Sequence, residues 1–123
     1  MSMVHEILSA MDSTAASSVL KAAAISPVRL FKLLGNPLRW ELMLLYADGR
    51  SMSATDVAPL VHRPFHIVLK HLRILRDGGL LQCIPSSEDA RYLLYSMPGQ
   101  WRPSPGVFDF GGCILDHAPH DLK

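Results

Sequence analysis

The 123-residue chain is long enough for one domain with a terminal extension. Hydrophobic residues make up 49% of the sequence and charged residues 19%, a composition that allows a buried core. The net charge is only +1, so any nucleic-acid binding must come from local placement of charge and not from bulk basicity. No apolar run approaches the roughly 20 residues of a membrane helix, and we expect no membrane partner.

The expected compartment follows from the cysteines and from the first residues. Cys83 and Cys113 are too few for a disulfide framework and lack metal-ribbon spacing. Residues 4–11 form a short run that is apolar except at a few positions such as His5 and Glu6. The run lacks the basic leader of a signal peptide. We therefore expect a cytoplasmic protein with reduced thiols.

The first part of the chain carries apolar residues at spacings of three and four, the pattern of one helix face. These residues are Val4, Leu8, Met11, Ala15, Val19 and Ala22. The other faces hold mostly Ala and Ser, so such a helix buries little by itself, and we interpret residues 1–27 as a dimerisation helix. A frayed helix that lies on its own domain is the alternative.

Two helices are predicted next. An Ile-Ser-Pro sequence stops the first segment, and residues 28–34 continue as a short helix. Its inward residues are Leu30, Phe31 and Leu34. Asn36 then caps a new helix with Pro37 at its first position, where the missing N–H costs nothing. The inward stripe of that helix is Leu38, Leu42, Leu45 and Tyr46.

A pair of helices joined by a tight turn follows. Ser53 and Asp56 match a capping box with Asp in place of Glu, which marks a helix start. Pro59 removes a hydrogen bond and should shorten or bend this helix. The second helix begins near Pro64 and ends at a Gly-Gly pair. The inward apolar residues of the pair are Val61, Val68, Leu72 and Leu75.

Two short apolar runs, residues 80–84 and 91–97, flank a turn and predict a β-hairpin. We therefore predict a mainly α fold with a small β-hairpin, a dimeric winged helix-turn-helix, with its DNA-binding domain at residues 28–97. Residues 98–123 are expected to form a Pro-rich connector and a C-terminal extension. Within them, residues 107–115 are apolar, and the sequence leaves strand and short helix equally open.

The second helix of the pair holds a concentration of positive charge. Between His62 and Arg76 there are four Lys or Arg residues and three His, with no Asp or Glu. A helix with one apolar stripe and an acid-free basic face suits a groove lined with phosphates. The alternative is an ordinary solvated helix.

Four pieces of the sequence resemble the ArsR-type bacterial transcriptional repressors: FKLLGNPLRWELMLLYADG, SMSATDVAPLV, LKHLRILRDGGLL and ARYLLYSM. The specific part is Gly-Asn-Pro-x-Arg before a Leu-rich helix, followed by His-Leu-x-x-Leu-Arg-x-Gly-Gly-Leu. The resemblance implies a cytoplasmic homodimer that binds a palindromic operator through its recognition helix and wing. It also implies that the operator is often released when a metal or an oxidant is sensed.

The chain departs from that family at two places. The position of the family's metal-sensing cysteine box, near residues 55–58, holds no cysteine, and no C-terminal helix is expected to supply the later metal site. At the start of the recognition helix, the family usually has small polar residues, whereas this chain has Arg63, Pro64, Phe65, His66, Ile67 and Leu69. Thymine-methyl contact or shape readout would then favour one DNA sequence over another.

Seven residues are predicted to bind DNA: Arg63, His66, Lys70, His71, Arg73, Arg76 and Arg91. His71 matches the family's His at the foot of the helix, with a partly buried, hydrogen-bonded histidine as the alternative. Arg73 and Arg76 are candidates for phosphate contact or for pairing with Asp77 and other acids. Arg91 lies in the predicted wing, whose tip also carries two acids that would repel a phosphate.

No cofactor is predicted and no metal site is assigned. The candidates for metal ligands are Cys113, His117 and His120 beside Asp116, whose spacing fits no standard zinc box. The alternative is that the cysteines act as small buried apolar residues. No nucleophile elbow, phosphate loop, paired-carboxylate or His-Glu-x-x-His motif is present, so no enzymatic activity is expected.

The sequence thus predicts a sequence-specific transcriptional regulator, with repression as the expected mode, that binds double-stranded DNA as a homodimer. The sequence leaves open whether a metal or a small molecule acts as an effector. The alternative function is a winged-helix module that binds a protein, because Phe65, Ile67 and Leu69 are expected at outer positions of the recognition helix.

Overall fold

The structure, a computed structural model, describes residues 24–89 and 91–118. The described chain has four α-helices followed by two separate, two-stranded antiparallel sheets. The helices are α1 (Pro27–Leu34), α2 (Pro37–Leu45), α3 (Ala54–Val61) and α4 (Phe65–Asp77). The strands are β1 (Gln82–Pro85), β2 (Leu93–Ser96), β3 (Val107–Asp109) and β4 (Ile114–Asp116). The predicted N-terminal dimerisation helix lies almost wholly outside these residues.

The order of these elements confirms the predicted winged helix-turn-helix. Helices α3 and α4 form the helix pair, and β1 and β2 form the hairpin that follows it, the wing. In the wing, Cys83 is paired with Tyr95 and Ile84 with Leu94. Within the described ranges, no helix is long and apolar enough to cross a membrane.

Capping side chains set the starts of α2 and α3 as the sequence predicts. The side chain of Asn36 accepts a hydrogen bond from the backbone N–H of Arg39 at 3.0 Å, and a proline occupies the first turn of α2. Ser53 and Asp56 form a reciprocal capping box, in which each side chain accepts the backbone N–H of the other at 3.1 Å. These side chains satisfy N–H groups that a helix start leaves without partners.

Residues 62–64 form a short turn between α3 and α4. Helix α3 has eight residues and contains Pro59, as predicted. His62 then takes a left-handed backbone conformation with a φ of 55°, and Pro64 lies immediately before α4. This turn leaves Arg63 in the exposed connection that leads into α4.

A single hydrophobic core joins the helices to the wing. All four inward positions predicted for α3 and α4 are buried: Val61, Val68, Leu72 and Leu75. The inward position predicted for Phe31 is wrong, since 61% of this residue is exposed. Consecutive helix residues point about 100° apart, so the fully buried Leu30 turns its neighbour Phe31 outward.

Residues 98–118, expected as a connector and an extension, pack on the same core. The indole N–H of the buried Trp101 donates to the carbonyl of Gly79 at 3.0 Å. The run at 107–115, left open by the sequence, contains the hairpin of β3 and β4. Phe108 is fully buried, and its ring lies 5.8 Å, centre to centre, from that of Trp40 on α2. The domain boundary at residue 98 stays a prediction.

Candidate nucleic-acid interface

One face of α4 and of the turn before it carries an exposed row of positive side chains. The row, called the basic row below, consists of Arg63, His66, Lys70 and Arg73, all exposed. Their spacings of three, four and three place them on one side of a helix. Among the described residues, none of the four forms an ion pair with a carboxylate. The sequence therefore predicted correctly that this side of α4 is basic and open.

The start of α4 adds a partial positive charge to the basic row. No side chain caps the helix after Pro64, and its first turn has no acidic residue. A helix start in this state keeps N–H groups that point away from the helix and the positive end of the helix dipole. Arg63 and His66 flank this start. Together these groups favour an anion at the N-terminal end of α4.

Two of the predicted DNA-contact residues are paired with acids. Arg76 donates from its Nε to Asp77 at 3.0 Å, and Arg91 lies 2.9 Å from Asp89 in the wing. The hydrogen bond from Arg91 lowers the pKa of Asp89, so this acid stays charged at neutral pH. Phosphate contact by either arginine would compete with its carboxylate. The pairing alternative is confirmed for Arg76, and the DNA-binding role of both arginines stays a prediction.

His71 is held inside the domain and not on the open face. It is half-buried, and its Nδ1 lies 3.0 Å from Nη1 of Arg39 on α2. Burial lowers the pKa of His71, and the positive charges of Arg39 and Lys70 lower it further. These features are those of the partly buried, hydrogen-bonded histidine that the sequence left open. DNA contact by His71 stays a prediction.

A cleft of about 280 Å³ separates α4 from the wing. Phe65, Leu69 and Arg73 line it from α4, and Arg91 and Tyr92 line it from the wing side. The aromatic residues are 49% and 53% exposed, which leaves their rings accessible to a partner. Sequence reasoning missed Tyr92, although its place next to Arg91 in the apolar run predicted as the second wing strand was a usable signal.

The apolar outer surface predicted for α4 is only partly present. Phe65 is exposed, but Ile67 and Leu69 are half-buried and pack against the core, so their predicted exposure is wrong. The reason is that α4 packs against α2 on one side and α3 on another, which covers the flanks of the helix. The basic row, the start of the helix and its last residue, Asp77, remain open.

The structure describes three of the candidate metal ligands, Cys113, Asp116 and His117. Cys83 and Cys113 are free and half-buried. The ring of His117 lies against that of Phe108, with 4.0 Å between their centres. In the part of the chain that the structure describes, no group of three or more His, Cys, Asp or Glu residues could hold a metal ion. His120 lies outside the described residues.

Comparison with known proteins identifies the fold. No family model and no characterised protein matches the sequence. The transcriptional regulator BldR from Sulfolobus solfataricus has a similar structure, with a TM-score of 0.50 and 20% identity over 80% of this chain and 70% of BldR. The chain has a winged helix-turn-helix fold. This winged-helix chain also matches the YusO protein from Bacillus subtilis, with a TM-score of 0.45 and 12% identity over 79% of this chain and 66% of YusO.

These identities establish a shared fold and nothing finer. A winged helix-turn-helix can carry several functions, so the function must be argued from the surface that the fold presents. The membership of the ArsR-type family stays a prediction that rests on the sequence motifs.

Proposed function

We propose that this protein is a DNA-binding transcriptional regulator that places α4 in the major groove of double-stranded DNA. The observation that carries the proposal is the basic row, which is exposed and free of acidic partners among the described residues. A helix of this kind, set on a winged helix-turn-helix, fits a groove lined by phosphates. The likeness of the fold to that of a transcriptional regulator supports the proposal.

The residues of α4 would contact different parts of the DNA according to their position along the helix. Phe65 and His66 lie at the N-terminal end of the helix, the end that reaches base edges in helix-turn-helix complexes. Lys70 and Arg73 lie farther along the helix, where long cationic side chains reach phosphates. Phe65 would contact a thymine methyl group, since a phenyl ring offers no hydrogen bond. The wing would approach the neighbouring backbone through Arg91.

The finer proposal is a repressor that binds a palindromic operator as a homodimer and belongs to the ArsR-type family. It is supported by the sequence motifs and by the apolar stripe in residues 1–27. Two recognition helices would then enter successive major grooves about 34 Å apart. No effector is assigned to the protein.

Fluorescence anisotropy on the DNA that flanks the protein's own gene tests the proposal. We expect affinity to fall steeply with salt, because phosphate contacts release counterions. The double variant Lys70→Ala, Arg73→Ala should bind all sequences more weakly and reduce the slope of log affinity against log salt by about 1.8, or about 0.9 per lost contact.

Arg50→Ala is the control for the loss of an exposed arginine outside the basic row. Arg50 is exposed and paired with Asp48 in the connection between α2 and α3, outside the recognition helix. Its loss should leave the salt slope unchanged. A wild-type protein that binds no DNA, or a double variant with an unchanged slope, would contradict the proposal.

A second candidate function is binding of a partner protein through the cleft beside the wing. It is favoured by the exposed apolar side chains of Phe65, Tyr92 and Leu93 around the cleft. Pull-down with and without nuclease separates the two functions. A partner that survives nuclease and is lost in Phe65→Ala, together with a failure to bind any DNA, would favour the protein-binding module.

A further inference from the structure

We propose that Arg39 is a positioning residue for the recognition helix: it joins the C-terminal end of α1 to the middle of α4 through His71 and so fixes the angle at which α4 meets DNA. Only the last step of the inference, the effect on DNA binding, rests on the proposed function. The hydrogen bonds of Arg39 are present in the free protein. The set formed by Arg39, Lys32, Leu33 and His71 is called the Arg39 link.

Arg39 uses its whole guanidinium group in this link. Its Nε donates to the carbonyl of Leu33 at 2.6 Å and its Nη2 donates to the carbonyl of Lys32 at 3.2 Å. Both carbonyls belong to the last turn of α1, where carbonyl groups have no partner within the helix. The remaining Nη1 donates to Nδ1 of His71 on α4 at 3.0 Å. One side chain of α2 therefore connects α1 with the recognition helix.

A second connection holds the same two helices at the foot of α4. Nη2 of Arg29 on α1 donates to the carbonyl of Asp77, the last residue of α4, at 3.2 Å. At Gly78, a Cβ atom would lie 2.6 Å from Cδ1 of Leu33, so α1 approaches this end of α4 closely. Helix α1 is thus joined to α4 at two levels, through Arg39 of α2 at the middle of α4 and directly at its foot, and its position constrains the direction of the recognition helix.

The link needs an uncharged His71. A guanidinium group can only donate, so Nδ1 must accept and the ring proton must be on Nε2. Protonation of the ring removes the acceptor. It also adds a positive charge beside Arg39 from α2 and Lys70 from α4, the two charged groups that oppose protonation of the ring. The link therefore depends on pH.

The direction of this dependence follows from the pKa. Burial, then Arg39 and Lys70, lower the pKa of His71 below its ordinary value of 6.5 in the folded protein. The unfolded chain consequently binds the proton more readily than the folded one. The stabilisation from the link is complete above pH 6.5 and is lost as the pH falls through the folded-state pKa.

Loss of the link should impair sequence discrimination more than overall affinity. Hydrogen bonds to base edges are directional, whereas phosphate contacts tolerate a shift of a mobile cationic side chain. A displaced α4 would therefore bind operator and non-operator DNA more equally. The salt slope, which counts phosphate contacts, should remain that of the wild type.

Three variants distinguish loss of the hydrogen bond between Arg39 and His71 from protonation of the His71 ring. His71→Leu removes the acceptor, Arg39→Gln removes the donor, and His71→Asn keeps an acceptor near Nδ1 that does not titrate. In the free protein, amide hydrogen exchange in the middle of α4 should quicken about tenfold in the first two variants, the effect of one lost hydrogen bond to a charged group. His71→Asn should keep the protection of the wild type.

The ratio of operator to non-operator affinity, measured in steps from pH 7.5 downward, gives the second readout. We expect the wild-type ratio to fall, by up to about tenfold, as the pH passes through the folded-state pKa of His71, and the ratio of His71→Asn to fall less. Arg50→Gln is the control for removal of an arginine outside the link.

Some outcomes of these experiments would overturn the present inference, and another would overturn the proposed function. The inference is overturned if His71→Asn keeps the pH dependence of the wild type, or if His71→Leu leaves both exchange and discrimination unchanged. Since neither His71 variant removes the guanidinium, this test holds even where Arg39→Gln does not fold. A wild type that binds no DNA would overturn the proposed function alone, because hydrogen exchange in the free protein still tests the Arg39 link.

Discussion

Two buried tyrosines, Tyr46 and Tyr95, differ in the hydrogen bonding of the hydroxyl group. The hydroxyl of Tyr46 donates to the carbonyl of Met52 at 3.0 Å. The hydroxyl of Tyr95 is buried with no hydrogen-bond partner among the described residues. Burial raises the pKa of both tyrosines, so both hydroxyls stay protonated at neutral pH. The Tyr46 hydroxyl has a carbonyl partner, whereas the Tyr95 hydroxyl has only a weak interaction with the Cys83 thiol, which also raises its pKa.

Phenylalanine at each position should therefore have opposite effects on stability. Tyr46→Phe loses a hydrogen bond and should lower the free energy of unfolding by about 1 kcal/mol. The cost stays small because the Met52 carbonyl also accepts the backbone N–H of Tyr95 at 2.9 Å. Tyr95→Phe removes a buried polar atom whose only neighbour for a hydrogen bond is a weakly interacting thiol, and it should be neutral or stabilising. Urea unfolding checks both, and a larger loss in Tyr95→Phe would reveal a partner for that hydroxyl.

At the scale of elements, α3 depends on its cap more than a longer helix would. It has only eight residues, and Pro59 removes one of its internal hydrogen bonds. Ser53→Ala should lower the free energy of unfolding by about 1–2 kcal/mol, because it removes the hydroxyl that accepts the backbone N–H of Asp56; the bond from the backbone N–H of residue 53 to Asp56 remains. Ser53→Thr keeps the hydroxyl and should retain most of the stability. Equal losses in the two variants by thermal unfolding would show that the cap is not the cause.

The elements also show which features a sequence can reveal. The starts of α2 and α3 were predictable because Asn36 and Ser53 cap backbone groups three residues away. The open basic row was predictable from helical spacing. By contrast, Arg39 and His71 are 32 positions apart, so no local pattern could place them in contact. The outward turn of Phe31 likewise depends on which flank of α1 the rest of the fold covers.

For the whole molecule, the question is whether the C-terminal hairpin belongs to the winged helix or is an appendage. Ile25, which leads into α1, donates its backbone N–H to the carbonyl of Phe110 at 2.9 Å, so the two ends of the described chain meet. Phe110 is fully buried, and its ring lies 5.5 Å from that of Trp101, centre to centre. The hairpin therefore supplies part of the only large core in the described residues.

Phe108→Ala tests this dependence. Phe108 is fully buried against the helices, so the cavity should cost about 3–5 kcal/mol, a large share of the stability of a small domain. Ile114→Ala, at a position of the same hairpin that is 67% exposed, should stay within about 0.5 kcal/mol of the wild type. Hydrogen exchange should show the loss equally in α4 and in the wing, because one core holds them. A loss confined to residues 98–118 would instead support a domain boundary at residue 98 and a recognition helix that is stable without the hairpin.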